Sequence, residues 1–374
     1  MPSSRDSEFV RPRDVIAGLP SYAAGKPPEA APGLIPYKLS SNENPLGPVA
    51  AVSDVLTDFD VLHRYPNPTA ELLRDELAVT LGVPAEDIVT GTGSLGALTQ
   101  VLNAFAGTGS DGQPDEVLYA WRSFEAYPIV VRTAGAREVP VPVTADGRHD
   151  LEAMAQAITP RTRVVILCTP NNPTGPALNH AEVERFLTMV PSDVLVVVDE
   201  AYVEFVRNPD VVDGLQLYRR HHNVVVLRTF SKAHGLASLR VGYTISGPQV
   251  TQHLRKVAVP FGVSGLGEAA AIASLRHPES VMANVEALIA ERERVRDVLI
   301  GEGWDVPEAQ GNFIWLALGE DSAEFARRAG EQALAVRAFD GEGVRVSIGE
   351  EQANDRLVQL CRSYTGAVGA KLTE

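Results

Sequence analysis

Cysteine is nearly missing from this chain: Cys168 and Cys361 are the only two in 374 residues. Two cysteines so far apart make neither a disulfide framework nor a zinc site, and they suit a reducing compartment, so a cytoplasmic protein is expected. Long hydrophobic runs are missing too. No stretch approaches the roughly 18 apolar residues of a membrane-spanning helix, and the start, Met1-Pro2-Ser3-Ser4-Arg5, has no apolar export region. Positive charge is scarce, with 33 Lys and Arg against 48 Asp and Glu. The formal net charge of −15 disfavours non-specific binding to nucleic acid, whose phosphates need a basic face, and supplies no polybasic patch for an anionic membrane. The eight histidines show no metal-ligand spacing, and neither a G-x-S-x-G elbow nor a Walker A lysine occurs. What remains is a globular protein of ordinary composition, 45% hydrophobic and 22% charged, long enough for two domains.

Residues 1 to about 12 read as a polar tail. Residues 20–36, with Pro20, Pro27, Pro28, Pro32 and Pro36, read as an extended arm. In TAELLRDELAVTLG, Leu72, Leu73, Leu77 and Leu81 share one face, predicting a helix capped by Thr69 and stopped by Gly82. Ser94–Phe105 predicts a second helix. Strands are predicted at Glu116–Tyr119, Val164–Cys168, Val194–Val198, Val224–Arg228 and Val241–Ile245. The middle three are almost unbroken Val, Ile and Leu, as for strands covered on both faces. Strand alternating with helix predicts an α/β layer on a mainly parallel sheet. From about Gly265 a long helix, Pro278–Glu302, and shorter elements in mixed order predict a smaller α+β domain. The expected division is an N-terminal arm (1–45), a large domain (46–264) and a small C-terminal domain (265–374) completed by the N-terminal segment.

The densest chemistry lies in TFSKAHGLASLR, where Lys232 follows an apolar run, with Ser231 beside it and Arg240 eight residues on. A lysine at a strand end can form a Schiff base with a carbonyl cofactor while Ser231 and Arg240 hold a phosphate, the arrangement expected for pyridoxal phosphate. Asp199 ends another apolar run, where ligands of α/β sheets bind. A carboxylate there can keep a pyridine nitrogen protonated, and it can equally cap the next helix. Tyr202, three residues on, could donate to the same ring's phenolic oxygen. Asn171-Asn172-Pro173-Thr174-Gly175 makes a tight turn for backbone reasons alone; its functional reading gives the Asn172 amide to that oxygen. Gly91-Thr92-Gly93-Ser94-Leu95-Gly96 matches a dinucleotide fingerprint without its strand and acidic context. It reads better as a helix N-terminus taking one phosphate through free N–H groups and Ser94. Phe124 could stack on a ring or belong to the core, and Tyr65 could reach a phosphate or be a surface tyrosine. Arg345, in GVRVSIG, suits a bidentate carboxylate if it faces inward and solvent if it does not.

Taken in order, these pieces are a Gly-Ser phosphate turn, an aromatic, N-P-T-G, D-x-x-Y, S-K, an Arg at plus eight and a late Arg. They resemble the fold-type I aminotransferases that use pyridoxal phosphate, from Leu19-Pro20-Ser21-Tyr22 to the last helix. LSSNENP (39–45), RYP (64–66) and TFSKAHGLASLR (229–240) resemble the histidinol-phosphate/aromatic branch. The resemblance implies a large domain on a mainly parallel seven-stranded sheet between helices, plus a smaller α+β domain. It implies that Lys232 forms the Schiff base and moves the Cα proton, and that Asp199 pairs with the pyridine N–H. Tyr202 and Asn172 would contact O3′, Phe124 would stack on the ring, and Ser94, the Leu95 amide, Ser231 and Arg240 would bind the phosphate. Tyr65 would reach the phosphate of a partner subunit, making a homodimer. Arg345 would take the substrate carboxylate, with Tyr22 and Asn44 bordering the substrate.

Substrate is a separate question. Histidinol-phosphate enzymes usually carry Tyr in the stacking motif, where this chain has Phe124, and often in a Leu-Pro-Tyr stretch, where it has Val259-Pro260-Phe261. Losing two hydroxyls removes donors for a substrate phosphate and leaves an apolar wall. WRSFEAYP, DEAYVEF and NVVVLRTFSK look like the actinobacterial aromatic amino-acid aminotransferases. Arg337 points the other way, because an Arg in this region can bind the substrate phosphate in histidinol-phosphate enzymes. The expectation is transamination of phenylalanine and tyrosine, with tryptophan a further candidate, onto 2-oxoglutarate. Histidinol phosphate is the alternative substrate. Another fold-type I reaction, or a non-catalytic protein of this fold, is the alternative function; intact Lys232, Asp199 and Arg240 oppose the latter.

Overall fold

The computed structural model describes residues 12–22, 25, 27–28, 30–57 and 59–371; the polar tail at 1–11 lies outside them. Twelve strands occur among the described residues. They are β1 (Tyr37–Lys38), β2 (Ile88–Thr92), β3 (Glu116–Trp121), β4 (Arg137–Pro142), β5 (Thr162–Cys168), β6 (Leu195–Asp199), β7 (Val224–Thr229), β8 (Val241–Ser246), β9 (Phe313–Leu316), β10 (Leu334–Ala335), β11 (Arg337–Phe339) and β12 (Gly343–Ser347).

The three Val/Ile/Leu runs become β5, β6 and β7, inside a seven-stranded sheet of order β2-β8-β7-β6-β5-β3-β4. Every residue of these three strands except Arg163 is buried. Alternate side chains feed separate apolar clusters on the two faces: Val196, Val198 and Val226 in one, Val197, Val225 and Leu227 in the other. That two-sided burial is why the runs carry no polar alternation. Strands β4, β3, β5, β6 and β7 are parallel, whereas β8 is antiparallel to both of its neighbours. Sequence patterning missed β4, which contains Pro140 and Pro142. It is tolerated because it is an edge strand, where a missing N–H donor breaks no inner ladder.

This strand order builds the site. The C-terminal ends of β2, β3, β5, β6 and β7 share one edge with the start of β8. From that edge the helix Gly93–Phe105 leaves β2, Asp199 terminates β6, Lys232 follows β7 and Arg240 precedes β8. A second, antiparallel sheet of order β11-β12-β9 carries Arg337 and Arg345. The parallel pair β1 and β10 ties the N-terminal segment to the C-terminal region.

The long helix runs Pro278–Gly301, close to expectation. The helix expected from Thr69 begins instead at Glu71, with Ala70 at its N-cap in a left-handed conformation and making no side-chain cap. The Asn67 Oδ1 takes the capping role, accepting the N–H groups of Thr69 and Glu71 at 2.9 and 3.3 Å. The helix Gly265–Leu275 packs against Ala50–Thr57 and Glu71–Leu81, and Glu268 accepts the Leu73 N–H at 3.2 Å. Among the described residues no helix is long and apolar enough to cross a membrane, and no cluster of three or more His, Cys, Asp or Glu could hold a metal ion.

Candidate active site

The shared sheet edge opens into a cavity of about 310 Å³. Lys232, Asp199, Tyr202, Asn172, Phe124, Ser94, Leu95, Ser231, Arg240, Arg345, Arg337 and Tyr22 all line it. A wider cleft of about 750 Å³, between Trp121 and Trp315, contains none of these residues. Convergent ionisable groups, not volume, therefore mark the site.

The Lys232 Nζ donates to the Ser41 carbonyl at 3.0 Å and stands 5.8 Å from the centre of the Tyr202 ring. Burial, reinforced by the Arg345 guanidinium, lowers its pKa to about 7. Much of the amine is then unprotonated at neutral pH, as a nucleophilic lysine requires. Asp199 is buried, and its Oδ2 accepts the Tyr127 hydroxyl at 2.7 Å. Burial raises its pKa to about 6, opposed by the Tyr127 hydroxyl and the Ala201 amide. Its Oδ1 is buried without a hydrogen bond of normal geometry. The Tyr202 hydroxyl accepts from Asn42 Nδ2 at 2.9 Å, which leaves its own proton for a group in the cavity. Burial pushes the Tyr202 pKa well above its ordinary value.

A group of donors suited to an anion lies at one end. Ser94 and Leu95 occupy the first turn of the helix Gly93–Phe105, where backbone N–H groups lack intrahelical acceptors. Gly93 has φ +72°, and a Cβ there would fall on the Arg240 guanidinium. The glycine thus serves both the turn and the close approach. Its N–H donates to the Arg240 carbonyl at 2.9 Å, and the Arg240 Nη1 donates to Ser231 Oγ at 3.3 Å.

Two arginines enter from the smaller sheet. Arg345 is buried; its Nη1 donates to Asn172 Oδ1 at 2.5 Å and its Nη2 to the Ser40 carbonyl at 2.6 Å. Its Nε is buried without a hydrogen bond, and among the described residues it forms no ion pair. Arg337 does form one, a two-pronged contact with Glu125, Nε to Oε2 at 3.1 Å and Nη2 to Oε1. Tyr22 sits among Glu125, Arg345 and Arg337 at the mouth. Phe124 meets Tyr127 edge-on, with ring centres 5.6 Å apart.

Two expected residues, Asn44 and Phe261, are not brought to this cavity, and Tyr65, expected at a partner subunit's phosphate, lies outside it too. The Asn44 amide turns to the Ala233 carbonyl at 3.1 Å, and its neighbours Asn42 and Glu43 line the cavity instead. Phe261 does not face the Lys232 cavity: its N–H is held by the Pro68 carbonyl at 3.1 Å, and its ring packs on Tyr65 with centres 4.9 Å apart. Together they line a separate apolar groove with Val61 and Leu62, and Tyr65 is 85% exposed. Conversely, Tyr127, Asn42 and Glu125 belong to the site and were not singled out from the sequence. Tyr127 had a signal in its spacing, three residues beyond Phe124 at a helix start. Asn42 had one in residue type, since Asn tolerates the left-handed backbone, φ +52°, that it adopts.

The family model for aminotransferase class I and II matches residues 35–360. The chain belongs to this family. This aminotransferase is 51% identical over 353 residues to the aromatic amino acid aminotransferase of Streptomyces avermitilis, covering 94% of this chain and 97% of that one. It is 49% identical to the protein of that name from Thermobifida fusca, covering 94% and 96%. Among solved structures it resembles the histidinol-phosphate aminotransferase of Sinorhizobium meliloti in complex with pyridoxal-5′-phosphate. The TM-score is 0.84 at 28% identity, covering 96% of this chain and 99% of that one.

Proposed function

We propose that this aminotransferase uses pyridoxal 5′-phosphate to transfer the amino group of aromatic L-amino acids to 2-oxoglutarate, giving arylpyruvates and glutamate. One observation carries the reading: a lysine amine with pKa about 7 and a buried carboxylate whose Oδ1 has no hydrogen bond of normal geometry line one cavity. Relatives at 44–51% identity bearing the aromatic name support the substrate class.

The residues present fit the cofactor. The unpartnered Asp199 Oδ1 suits the pyridine N–H, and the helix start with Ser94, the Leu95 amide, Ser231 and Arg240 suits the phosphate. Tyr202 and Asn172 would address O3′, and Phe124 the ring face. The chemistry supplied by the bound cofactor is a carbonyl that condenses with amines and a ring that takes up an electron pair. Lys232, with its pKa lowered to about 7, holds and moves the substrate's Cα proton. Arg345, which forms no ion pair among the described residues, grips the substrate carboxylate with its planar fork. Asn172 and the Ser40 carbonyl orient that fork.

Tyr65 and Phe261 form an exposed apolar pair, which supports a homodimer in which the partner subunit's Tyr65 reaches the phosphate. Phe261 would then approach the substrate only from the partner's side, and Asn44 would act only through the loop that it braces. We divide the chain into an arm (1–45), a large domain (46–264) and a C-terminal domain (265–374) whose first helix lies on the large one. A cytoplasmic role in amino-acid biosynthesis completes the reading. Arg337 at the cavity is the observation that favours a second substrate, histidinol phosphate.

The test is a side-by-side kcat/KM comparison of phenylalanine, tyrosine and histidinol phosphate with 2-oxoglutarate, with sedimentation of the holoenzyme for its oligomeric state. The aromatic substrates should win; a clear win for histidinol phosphate overturns the substrate assignment.

A further inference from the structure

The cavity holds two arginines of opposite availability. Arg337 on β11 and Arg345 on β12 are directly opposed residues of an antiparallel pair, so their side chains leave the same face of the sheet. Like charges placed directly opposite repel, and here both guanidinium groups point into a cavity that also contains Lys232 and Arg240. The structure resolves this asymmetrically. Among the described residues Arg345 is held only by neutral acceptors, Asn172 Oδ1 and the Ser40 carbonyl, and keeps its full charge for an incoming carboxylate. Arg337 is covered by the Glu125 carboxylate along its Nε–Nη2 edge, the edge that a phosphate or a second carboxylate would use. Both partners are largely withdrawn from water, with side-chain exposures of 14% for Arg337 and 22% for Glu125. A substrate phosphate reaching for Arg337 must therefore displace Glu125 and leave its carboxylate uncompensated.

Resting on the reading of this cavity as an aminotransferase active site, we propose that Glu125 is a specificity-determining residue. It occupies Arg337 and so disfavours substrates that carry a phosphate, as histidinol phosphate does in place of the α-carboxylate, relative to aromatic amino acids, whose single carboxylate Arg345 can take alone. Arg337, unpaired, would be an anion receptor; paired with Glu125, it belongs to a wall with no net charge. The Glu125–Arg337 contact spans 212 residues of sequence, so the charge state of the wall is a property of the folded cavity.

The test compares holoenzyme of the wild type, Glu125→Gln, Glu125→Ala and the double variant Glu125→Gln/Arg337→Met. The quantity read is the ratio of kcat/KM for histidinol phosphate to that for phenylalanine. Freeing one charged donor pair should raise the ratio about tenfold to a hundredfold in both single variants. The double variant, with no cation to uncover, should return toward the wild-type ratio. An unchanged ratio in the single variants, or an equal rise in the double variant, overturns the proposal. The wild-type ratio separately tests the aromatic assignment: a wild type that already prefers histidinol phosphate refutes that assignment, while the change on mutation still judges Glu125.

Discussion

Tyr127→Phe isolates the support of Asp199, the carboxylate that we propose pairs with the cofactor. The Tyr127 hydroxyl donates to Asp199 Oδ2 at 2.7 Å, and both residues are buried. Phenylalanine keeps the ring contacts with Tyr119 and Phe124, at 5.7 and 5.6 Å between centres, so only the hydroxyl is lost. A hydrogen bond to a charged group contributes about 1.5–3 kcal/mol, and about 1.4 kcal/mol corresponds to one pH unit. The Asp199 pKa, about 6 with the hydroxyl in place, should then rise to roughly 7–8 without it. Pairing with a protonated pyridine requires the ionised carboxylate, so pyridoxal phosphate affinity must weaken as pH falls through that pKa. The assay is a cofactor titration, followed by absorbance, between pH 5.5 and 9. The acid limb of the dissociation constant should move from near 6 in the wild type to roughly 7–8 in the variant. The two proteins should differ by about tenfold near pH 6.5 and converge by pH 9. An acid limb that stays near 6 in the variant refutes the argument that Tyr127 sustains the Asp199 charge.

The Lys232 pKa is lowered, from 10.5 to about 7, so the unfolded chain binds more protons than the folded one between those values. Stability of the cofactor-free protein attributable to this group therefore rises with pH across that window. Lys232→Met should be the more stable protein at pH 7, by an advantage that shrinks by roughly 2–3 kcal/mol by pH 9, measured by denaturant unfolding; an advantage independent of pH would rule this out. The same variant should have no transaminase turnover. Arg345→Leu should raise the KM for phenylalanine about a hundredfold by removing the partner we propose for the substrate carboxylate, with steady-state kinetics as the check. Gly93→Ala places a methyl on the Arg240 guanidinium at a positive φ, a conformation costing roughly 1–2 kcal/mol for other residues. It should weaken pyridoxal phosphate binding about tenfold or more, seen in the same cofactor titration.

Much of the fold could be read from local pattern. The three buried strands declare themselves because a strand covered on both faces must be apolar at every position. Strand β4 did not, because Pro140 and Pro142 look like breakers until the edge position is known. Thr69 looked like a cap because residue type favours it, yet an Asn two residues earlier competes for the same N–H groups. At the site, Lys232, Asp199 and Arg240 were legible because each lies at a sheet edge reached by a single chain turn. Tyr127 and Asn42 act through other side chains, across 72 and 160 residues, and pairwise contacts at such separations leave no mark in local sequence. Phe261 illustrates the reverse, a plausible residue that packs on Tyr65 in another groove.

The amino-acid order by itself determined the class of chemistry: a lysine after a buried strand, a carboxylate ending its neighbour, a Gly-Ser helix start, and an arginine eight residues past the lysine. These are local relations of residue type to strand end, and one parallel sheet suffices to bring them together. Only the tertiary structure decided which charges remain available. Arg345 is left open and Arg337 is covered by Glu125, although both are arginines on adjacent strands. Electrostatic availability depends on distance and burial between groups hundreds of residues apart, and those are set by packing, not by the pattern of the chain.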